Sequence, residues 1–183
     1  MKLLEPRMRP VQENELTTEQ RGLLDPLGQA ARFNAFKTII RCPKLFKGFM
    51  PLAGYIHQES ALPSRDMELL ILRIAWLCQA EYEWSHHTIS GKQAGLTDQE
   101  ILRITKGPNT EGWNSFDATL LRAVDELHKD AFISNSTWVA LAEHYTEQQL
   151  MDLVFTVGEY NLVSMALNSF GVQLDEGFTG FPK

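Results

Sequence analysis

The sequence predicts an all-α protein, because apolar residues recur at helical spacing along most of the chain and alternating, strand-like patterns are hard to find. Helix-start signals support this prediction, since capping boxes of the form Thr-x-x-Gln or Thr-x-x-Glu begin at Thr17, Thr97 and Thr146. There is no internal repeat, linker or shift in composition. We therefore expect about eight helices in a single domain over residues 1–183.

The first half of the chain divides into five predicted helices. Pro43 precedes the third helix, and Pro51 inside it should kink or divide it. The fourth helix is apolar nearly all round, which is typical of a central, buried helix. Gly95 follows the fifth helix as a left-handed C-terminal residue. The predicted ranges are residues 17–28, 31–41, 44–58, 64–78 and 82–94.

The second half continues the helical pattern and ends in an irregular segment. A short helix opens at the Thr97 capping box and stops at Gly107-Pro108. Three further helices are predicted at residues 115–129, 136–144 and 146–168. The tail from Gly171 to Lys183 is rich in Gly and Phe, so we expect a loosely ordered end or an arm on a neighbouring subunit.

Charge and composition exclude several classes of protein. Lys and Arg total 17 against 23 Asp and Glu, and this net charge of −6 without a basic run argues against nucleic acid as a partner. No apolar stretch reaches the ~20 residues of a membrane span, and the N-terminus lacks the apolar core of a signal peptide. The 2 cysteines form neither a disulfide framework nor a Cys-x-x-Cys pair. We predict a cytoplasmic protein that does not bind membranes.

A cluster of aromatic, acidic and imidazole side chains lies at the start of the fifth helix, in the run EYEWSHH that begins at Glu81. Glu83 and His87 are four residues apart, so they share one helix face. A carboxylate at that distance can fix the tautomer of an imidazole and raise its pKa, as in a general acid–base pair. Glu68 stands near the start of the apolar fourth helix, where a desolvated carboxyl could relay a proton.

The same residues admit structural and metal-binding interpretations. Glu83 and His87 could form an ordinary surface pair, and Glu68 could simply favour the positive end of its helix. Glu83-x-x-His86, with Glu68 as a third ligand, has the spacing of a di-iron site, but a second Glu-x-x-His motif is missing. We predict no metal and no cofactor. The remaining histidines, which stand alone on helical patterns, are expected to be structural or surface residues: His57, His128 and His144.

Residues 65–104 resemble the carboxymuconolactone decarboxylase family, which includes the AhpD-like alkylhydroperoxidases. The resemblance is carried by ELLILRIA from Glu68, YEWSHH from Tyr82 and AGL from Ala94. Weaker similarity extends over most of the chain. It implies an AhpD-like all-α fold with a central helical hairpin, assembled as a homo-oligomer, either a trimer or a hexamer.

The chain departs from the peroxidase branch of this family at the two redox positions. Peroxidase members carry Cys-x-x-Cys ahead of the histidine, and counting back from His87 places these positions at Ala80 and Glu83. Neither alanine nor a carboxylate can act as the thiolate nucleophile. Cys78 lies two residues before the first position, so a one-cysteine peroxidase using Cys78 is an alternative. Otherwise Cys78 is a small buried hydrophobe.

The resemblance then implies the decarboxylase side of the family. We expect cofactor-free decarboxylation or isomerisation of a small carbonyl acid or lactone, with His87 as the acid–base group, Glu83 orienting it and Glu68 completing a proton relay. Tyr82 and Trp84 would bind substrate or pack in the core, and His86 ranks behind His87 because neighbouring helix residues diverge. The alternatives are the peroxidase and a catalytically silent, oligomeric binding protein.

Overall fold

The computed structural model describes residues 3–182, and this part of the chain is all-α, with nine α-helices, two 3-10 segments (Glu13–Glu15 and Asp25–Arg32) and no strand. The all-α prediction is therefore confirmed. In chain order the helices are α1 (Thr18–Leu24), α2 (Asn34–Ile39), α3 (Pro43–Gln58), α4 (Ser64–Leu77), α5 (Glu81–Gln93), α6 (Asp98–Ile104), α7 (Ser115–Asp130), α8 (Asn135–Ala142) and α9 (Glu147–Phe170).

The helix ends follow local chemistry that the sequence displays. All three predicted capping boxes form, with the hydroxyls of Thr17, Thr97 and Thr146 each accepting a hydrogen bond from a backbone N–H three residues ahead. Gly95 has a φ of 101° just after α5, as expected of a left-handed terminator. Pro51 lies inside α3, yet this helix runs unbroken from Pro43 to Gln58, so the proline does not divide it.

α4 is the central helix, and it packs against α5, α6, α7 and α9. Residues 68–75 of α4 are all buried, as expected of a helix that is apolar nearly all round. A turn at residues 78–80, with Gln79 in the left-handed region (φ 52°), joins α4 to α5. These two helices form the predicted central hairpin, and they bring Glu68 on α4 beside α5.

Arg73 ties α4 to α6 and α7 through a buried guanidinium group. It donates to both carboxylate oxygens of Asp125 on α7, at 2.6 and 2.9 Å, and to the Ile104 carbonyl at 2.8 Å. Gly107 allows this arrangement, because a Cβ there would lie 2.9 Å from Arg73 Nη2 and the backbone has a φ of 92°. The charge is thus fully paired in the core.

Two hydrophobic clusters fill the interior. The larger one surrounds α4 and draws on every helix from α3 to α9. The smaller one belongs to the N-terminal segments and centres on Val11, Leu24, Ile40 and Phe46, with Leu27, Phe36, Ile39 and Met50 packed against it. The N-terminal segments are therefore a separate packing unit laid against the helical hairpin.

The C-terminal tail is irregular, as predicted, but it folds back on its own chain. The Asp175 carboxylate accepts hydrogen bonds from the Asn34 backbone and from the Tyr82 hydroxyl. Phe181 packs against Trp76 and Trp84, with ring centroids 5.1 and 5.6 Å away. Residues 171–182 are therefore not a loose end, and they do not extend away from their own chain as an arm. The Asp175 carboxylate and the packing of Phe181 hold them against it.

α9 is long and apolar enough to resemble a membrane span by length and composition alone. Half of its most apolar window is buried inside the protein, however, which is the behaviour of a core helix in a soluble protein. Asp152 on α9 supports that assignment, because its carboxylate is buried and accepts hydrogen bonds from the Tyr55 hydroxyl and the Ala61 backbone.

Replacing Arg73 with alanine should destabilise the fold strongly. The change leaves the buried Ile104 carbonyl and the partly exposed Asp125 carboxylate (31% exposed) without their donor, so we expect a loss of about 2–3 kcal/mol, below the cost of breaking a fully buried pair. Urea denaturation would measure the free energy of unfolding. Arg9→Ala is the matched control, since Arg9 pairs with Glu15 on the surface and its loss should have little effect. Equal midpoints for the two variants would contradict the role given to Arg73.

Candidate active site

His87 lies between two carboxylates at the centre of the α4–α5 hairpin. Its Nδ1 is 2.8 Å from Glu68 Oε2, and its Nε2 is 3.5 Å from Glu83 Oε2. The hairpin supplies the first contact, and the four-residue spacing on α5 supplies the second. All three side chains are buried. The structure therefore brings together the three residues that the sequence predicts.

The two carboxylates decide the protonation of His87. Burial by itself would lower the pKa of this imidazole, but the hydrogen bonds to Glu68 and Glu83 outweigh burial and raise the pKa to about 9. His87 is therefore an imidazolium at neutral pH, with one N–H directed at each carboxylate. The shorter contact shows that Glu68, rather than Glu83, is the principal partner that orients the ring.

A cavity of about 410 Å³ reaches this group from the side of the N-terminal segments. Its polar end is lined by Glu83 and His87, whereas Glu68 lies behind the imidazole and does not line it. Its other walls come from the Asp25–Arg32 segment, α2 and α3, and their side chains are mainly apolar: Leu27, Phe33, Phe36, Ile39, Phe49 and Met50. The site is thus an acid–base group at the end of an apolar chamber.

His57 and Tyr160 add a second hydrogen-bonded pair to the polar end. The Tyr160 hydroxyl is 2.7 Å from His57 Nε2, and the His57 ring stacks on His87 with centroids 6.2 Å apart. Burial and the nearby His87 charge lower the pKa of His57, and burial raises that of Tyr160. Tyr160 therefore donates to a neutral His57. His57 is an exposed residue, as expected, and its ring also lines the cavity, which the sequence did not indicate.

Glu159 is the third acidic side chain at the cavity and has the least support from its surroundings. It is only 5% exposed, and its Oε2 atom is buried without a hydrogen-bond partner among the described residues. Burial, reinforced by the Glu83 charge, raises the pKa of Glu159 to about 7. Neither Glu159 nor Tyr160 is predicted from the sequence. The sequence feature that could have indicated Glu159 is its position as a carboxylate in the middle of a long apolar helix.

Tyr82 and His86, the predicted substrate-binding residues, both line the cavity. Each is also held by Asp175 from the tail, with His86 Nε2 lying 3.0 Å from its carboxylate and the Tyr82 hydroxyl donating to it. The His86 ring stacks between Tyr82 and Phe178, at centroid distances of 4.6 and 4.0 Å. These rings therefore form one wall of the cavity. The Tyr82 hydroxyl and His86 Nε2 are already bound to Asp175 of the tail.

Trp84 and Cys78 lie away from the cavity. Trp84 packs in the core against Trp76 and Phe181, with both centroid distances at 5.6 Å, so it is not positioned to touch a ligand. Cys78 Sγ is 3.1 Å from the Asn161 side-chain oxygen, and burial raises the pKa of this thiol. Its surroundings thus favour the thiol over the nucleophilic thiolate.

The described residues contain no group of three or more His, Cys, Asp or Glu side chains arranged to hold a metal ion. In the di-iron interpretation, His86 would bind beside Glu83, but His86 instead pairs with Asp175. Glu68 is likewise directed at His87 rather than toward a shared metal position. The geometry of this cluster is that of a proton-sharing group.

The central part of the chain matches a known protein family. Residues 43–126 match the carboxymuconolactone decarboxylase family, and this segment includes His57, Glu68, Glu83 and His87. Glu159 and Tyr160 lie outside it. No curated protein matches the sequence.

Solved structures match over nearly the whole chain. An alkylhydroperoxidase AhpD core protein from Ralstonia eutropha JMP134 is 15% identical, covers 93% of each chain and has a TM-score of 0.79. ATU0492 from Agrobacterium tumefaciens, a protein of unknown function for which an AhpD antioxidant role is suggested, is 22% identical over 74% of this chain and 93% of its own, with a TM-score of 0.68. The debrominase Bmp8, in complex with 2,3,4-tribromopyrrole, is 16% identical over 94% of each chain, with a TM-score of 0.72.

These structural similarities establish the fold, and the family match covers the helices that carry the acid–base group. Residues 43–126 are therefore similar to the carboxymuconolactone decarboxylase family, and the fold of the chain is similar to that of AhpD-like proteins.

Proposed function

We propose that this protein is a cofactor-free acid–base enzyme that transfers a proton within a small carbonyl acid or lactone, leading to isomerisation or decarboxylation. The observation that carries the proposal is the His87 imidazolium held between Glu68 and Glu83 at the end of an apolar cavity. A proton-transfer group at the end of a largely apolar cavity is an arrangement that suits general acid–base catalysis.

The geometry suggests a role for each of the three residues. Glu83 lines the cavity, so its carboxylate can take a proton from the carbon next to a substrate carbonyl. The C–H electron pair then moves into the carbonyl as an enolate, and Glu83 returns the proton to a different carbon. His87 shares its proton with Glu83, and Glu68 fixes the imidazole from behind. This assignment moves the orienting role from Glu83, where we expected it, to Glu68.

In a decarboxylation the same groups would act in a different order. The bond to the carboxylate carbon breaks, carbon dioxide leaves, and its electron pair forms the enolate. The enolate carbon then takes a proton from the Glu83–His87 pair. Neither route needs an oxidant, a reductant or a metal ion, which fits a cluster built only of carboxylates and imidazole.

A thiol peroxidase is the less favoured alternative, although peroxidase-related proteins share the fold. The redox positions hold Ala80 and Glu83, and Cys78 is a hydrogen-bonded thiol outside the cavity. Both cysteines of the chain, Cys42 and Cys78, are unpaired. This agrees with the proposed reducing, cytoplasmic location.

We also propose that the protein is a homo-oligomer, a trimer or a hexamer. Large apolar side chains on α9 are exposed at steps of three, four or seven residues, which forms a continuous stripe along the helix. The stripe, whose members are 53–61% exposed, consists of Met151, Phe155, Leu162 and Met165. The same stripes of neighbouring copies, meeting around a three-fold axis, are apolar surfaces that would cover it.

Removing the proton-transfer groups should abolish turnover without abolishing the fold. We expect Glu83→Gln and His87→Gln to lower kcat by about 10²–10⁴, the usual contribution of a general acid–base group. The measurement is steady-state turnover on a panel of lactones, β-keto acids and organic hydroperoxides. Cys78→Ala is the control and should retain full activity.

The same panel separates the alternatives. Turnover that survives both active-site substitutions would contradict the acid–base proposal. Hydroperoxide reduction that disappears in Cys78→Ala would establish the peroxidase instead. Tight binding without turnover on any of the three substrate classes would identify a silent binding protein.

The raised pKa of His87 predicts a pH-dependent stability. An imidazole in the unfolded chain titrates near 6.5, whereas folded His87 keeps its proton up to about pH 9. Between these values the folded state holds the extra proton, so stability is complete below pH 6.5 and falls by roughly 2–3 kcal/mol as the pH rises to 9. Urea denaturation across this range should show a shallower decline for His87→Gln, with exposed His144→Gln as the control. Parallel curves for all three proteins would contradict the assignment.

The oligomer proposal predicts that a charge in the α9 stripe disrupts assembly. Leu162→Lys should shift the mass measured by light scattering from a trimer or hexamer toward a monomer, because the ammonium group would be buried in an apolar contact. Val139→Lys, at an exposed apolar position on α8, should leave the mass unchanged. A monomeric wild-type protein would refute the proposal directly.

A further inference from the structure

We propose that the substrate is an uncharged, largely apolar carbonyl compound, such as a lactone or an ester, whose carbonyl oxygen accepts a hydrogen bond from Glu159. This inference rests on the proposed function and narrows it, because it names the substrate class of the same site. It removes free carboxylic acids, and with them the decarboxylation route, from the possibilities considered above, and it assigns a substrate-binding role to a residue outside residues 43–126.

The charge of the cavity opposes an anionic ligand. Glu68 and Glu83 contribute two carboxylates against the single imidazolium of His87, so the cluster carries one net negative charge. Among the side chains that the structure places along the cavity, none is Lys or Arg. A substrate carboxylate would therefore lose its water and meet a net negative charge, because the one cation of the cluster, His87, is already paired with Glu68 and Glu83.

Glu159 is a binding group without a protein partner. Its carboxyl is 95% shielded from solvent and lines the cavity, but Oε2 has no hydrogen-bond partner among the described residues. Leaving such a group unpaired is unfavourable, and a ligand that forms a hydrogen bond with it relieves this cost. Because burial keeps this carboxyl protonated to about pH 7, it can donate an O–H to a carbonyl oxygen.

The groups around Glu159 favour its role as the donor in a hydrogen bond to a ligand. From α5 it faces Glu83 and His87, with Glu68 of α4 behind the imidazole, and from α3 it faces His57. Tyr160, its neighbour on α9, already donates to His57. A cavity-facing O–H that is free to donate to a ligand is therefore found at Glu159, whereas the His87 N–H groups and the Tyr160 hydroxyl are directed at protein acceptors.

The arrangement gives the enolate a stabilising partner. When Glu83 takes the proton from the carbon beside the carbonyl, the electron pair collects on the carbonyl oxygen. The Glu159 O–H strengthens its hydrogen bond to that oxygen as negative charge develops there. Glu83 then returns the proton to another carbon, the charge leaves the oxygen, and Glu159 keeps its own proton. The remaining substrate surface lies against the apolar walls.

A matched pair of ligands tests the substrate class. γ-Octalactone and its ring-opened acid, 4-hydroxyoctanoate, share one carbon skeleton and differ in charge. Titration calorimetry at about pH 6, where Glu159 is mostly protonated, should show the lactone binding at least about tenfold more tightly, which corresponds to about 1.4 kcal/mol. Equal affinities, tighter binding of the acid, or no binding of either ligand would overturn the proposal.

Substitutions at Glu159 test the hydrogen bond. Glu159→Leu should weaken lactone binding about tenfold, since it removes the donor but keeps the volume. Glu159→Gln retains an N–H donor and should bind normally. Glu147→Leu, an exposed site on the same helix, is the control. Unchanged binding by the leucine variant would refute the role of Glu159, and circular dichroism of each variant would confirm folding.

The pH dependence supplies an independent measurement. Lactone affinity of the wild type should fall about tenfold between pH 6 and pH 8, as the carboxyl with a pKa of about 7 loses its donor proton. Glu159→Gln should show no such fall. A decline shared by both proteins would place the titration on another group and contradict the proposal.

Failure of this inference can be told apart from failure of the proposed function. If wild type binds the lactone selectively but Glu83→Gln has the same turnover as wild type, the acid–base mechanism fails and the ligand class stands. If turnover depends on Glu83 but occurs on free acids alone, the mechanism stands and the ligand class fails.

Discussion

The imidazole of His87 between two buried carboxylates is the interaction on which the site depends. This interaction forms only when α4 and α5 are both correctly positioned, because Glu68 comes from α4 and Glu83 from α5. Charged groups of this kind are stable in an interior only when they are paired. The tight α4–α5 turn and the buried Arg73 linkage to α6 and α7 hold the hairpin that makes the pairing possible.

The same cluster influences the protonation of neighbouring side chains at the cavity. Its negative charge reinforces the effect of burial on Glu159, and its imidazolium helps to keep His57 neutral. One buried salt-bridge network thus adds to the effect of burial on the protonation of two neighbours at the cavity. The apolar walls matter for the same reason, since they exclude the water that would screen these charges.

The N-terminal segments and the tail give this chain its individual cavity. Phe33 and Phe36 close it from one side, and the Asp175 carboxylate fixes Tyr82 and His86 from another. Residues 43–126, which match the family, contain Glu68, Glu83 and His87. Parts of the chain on either side of that segment decide the size of the chamber and the polarity of its walls.

Local signals in the sequence were sufficient for the helices, because capping boxes, prolines and apolar periodicity act within a few residues. They also singled out Glu83 and His87, whose pairing follows from helix geometry alone. The roles of Glu68, His57 and Glu159 were decided only by the tertiary structure. Each lies on a different helix, and neither the burial of a carboxyl nor the partner of an imidazole can be read from spacing along one chain segment.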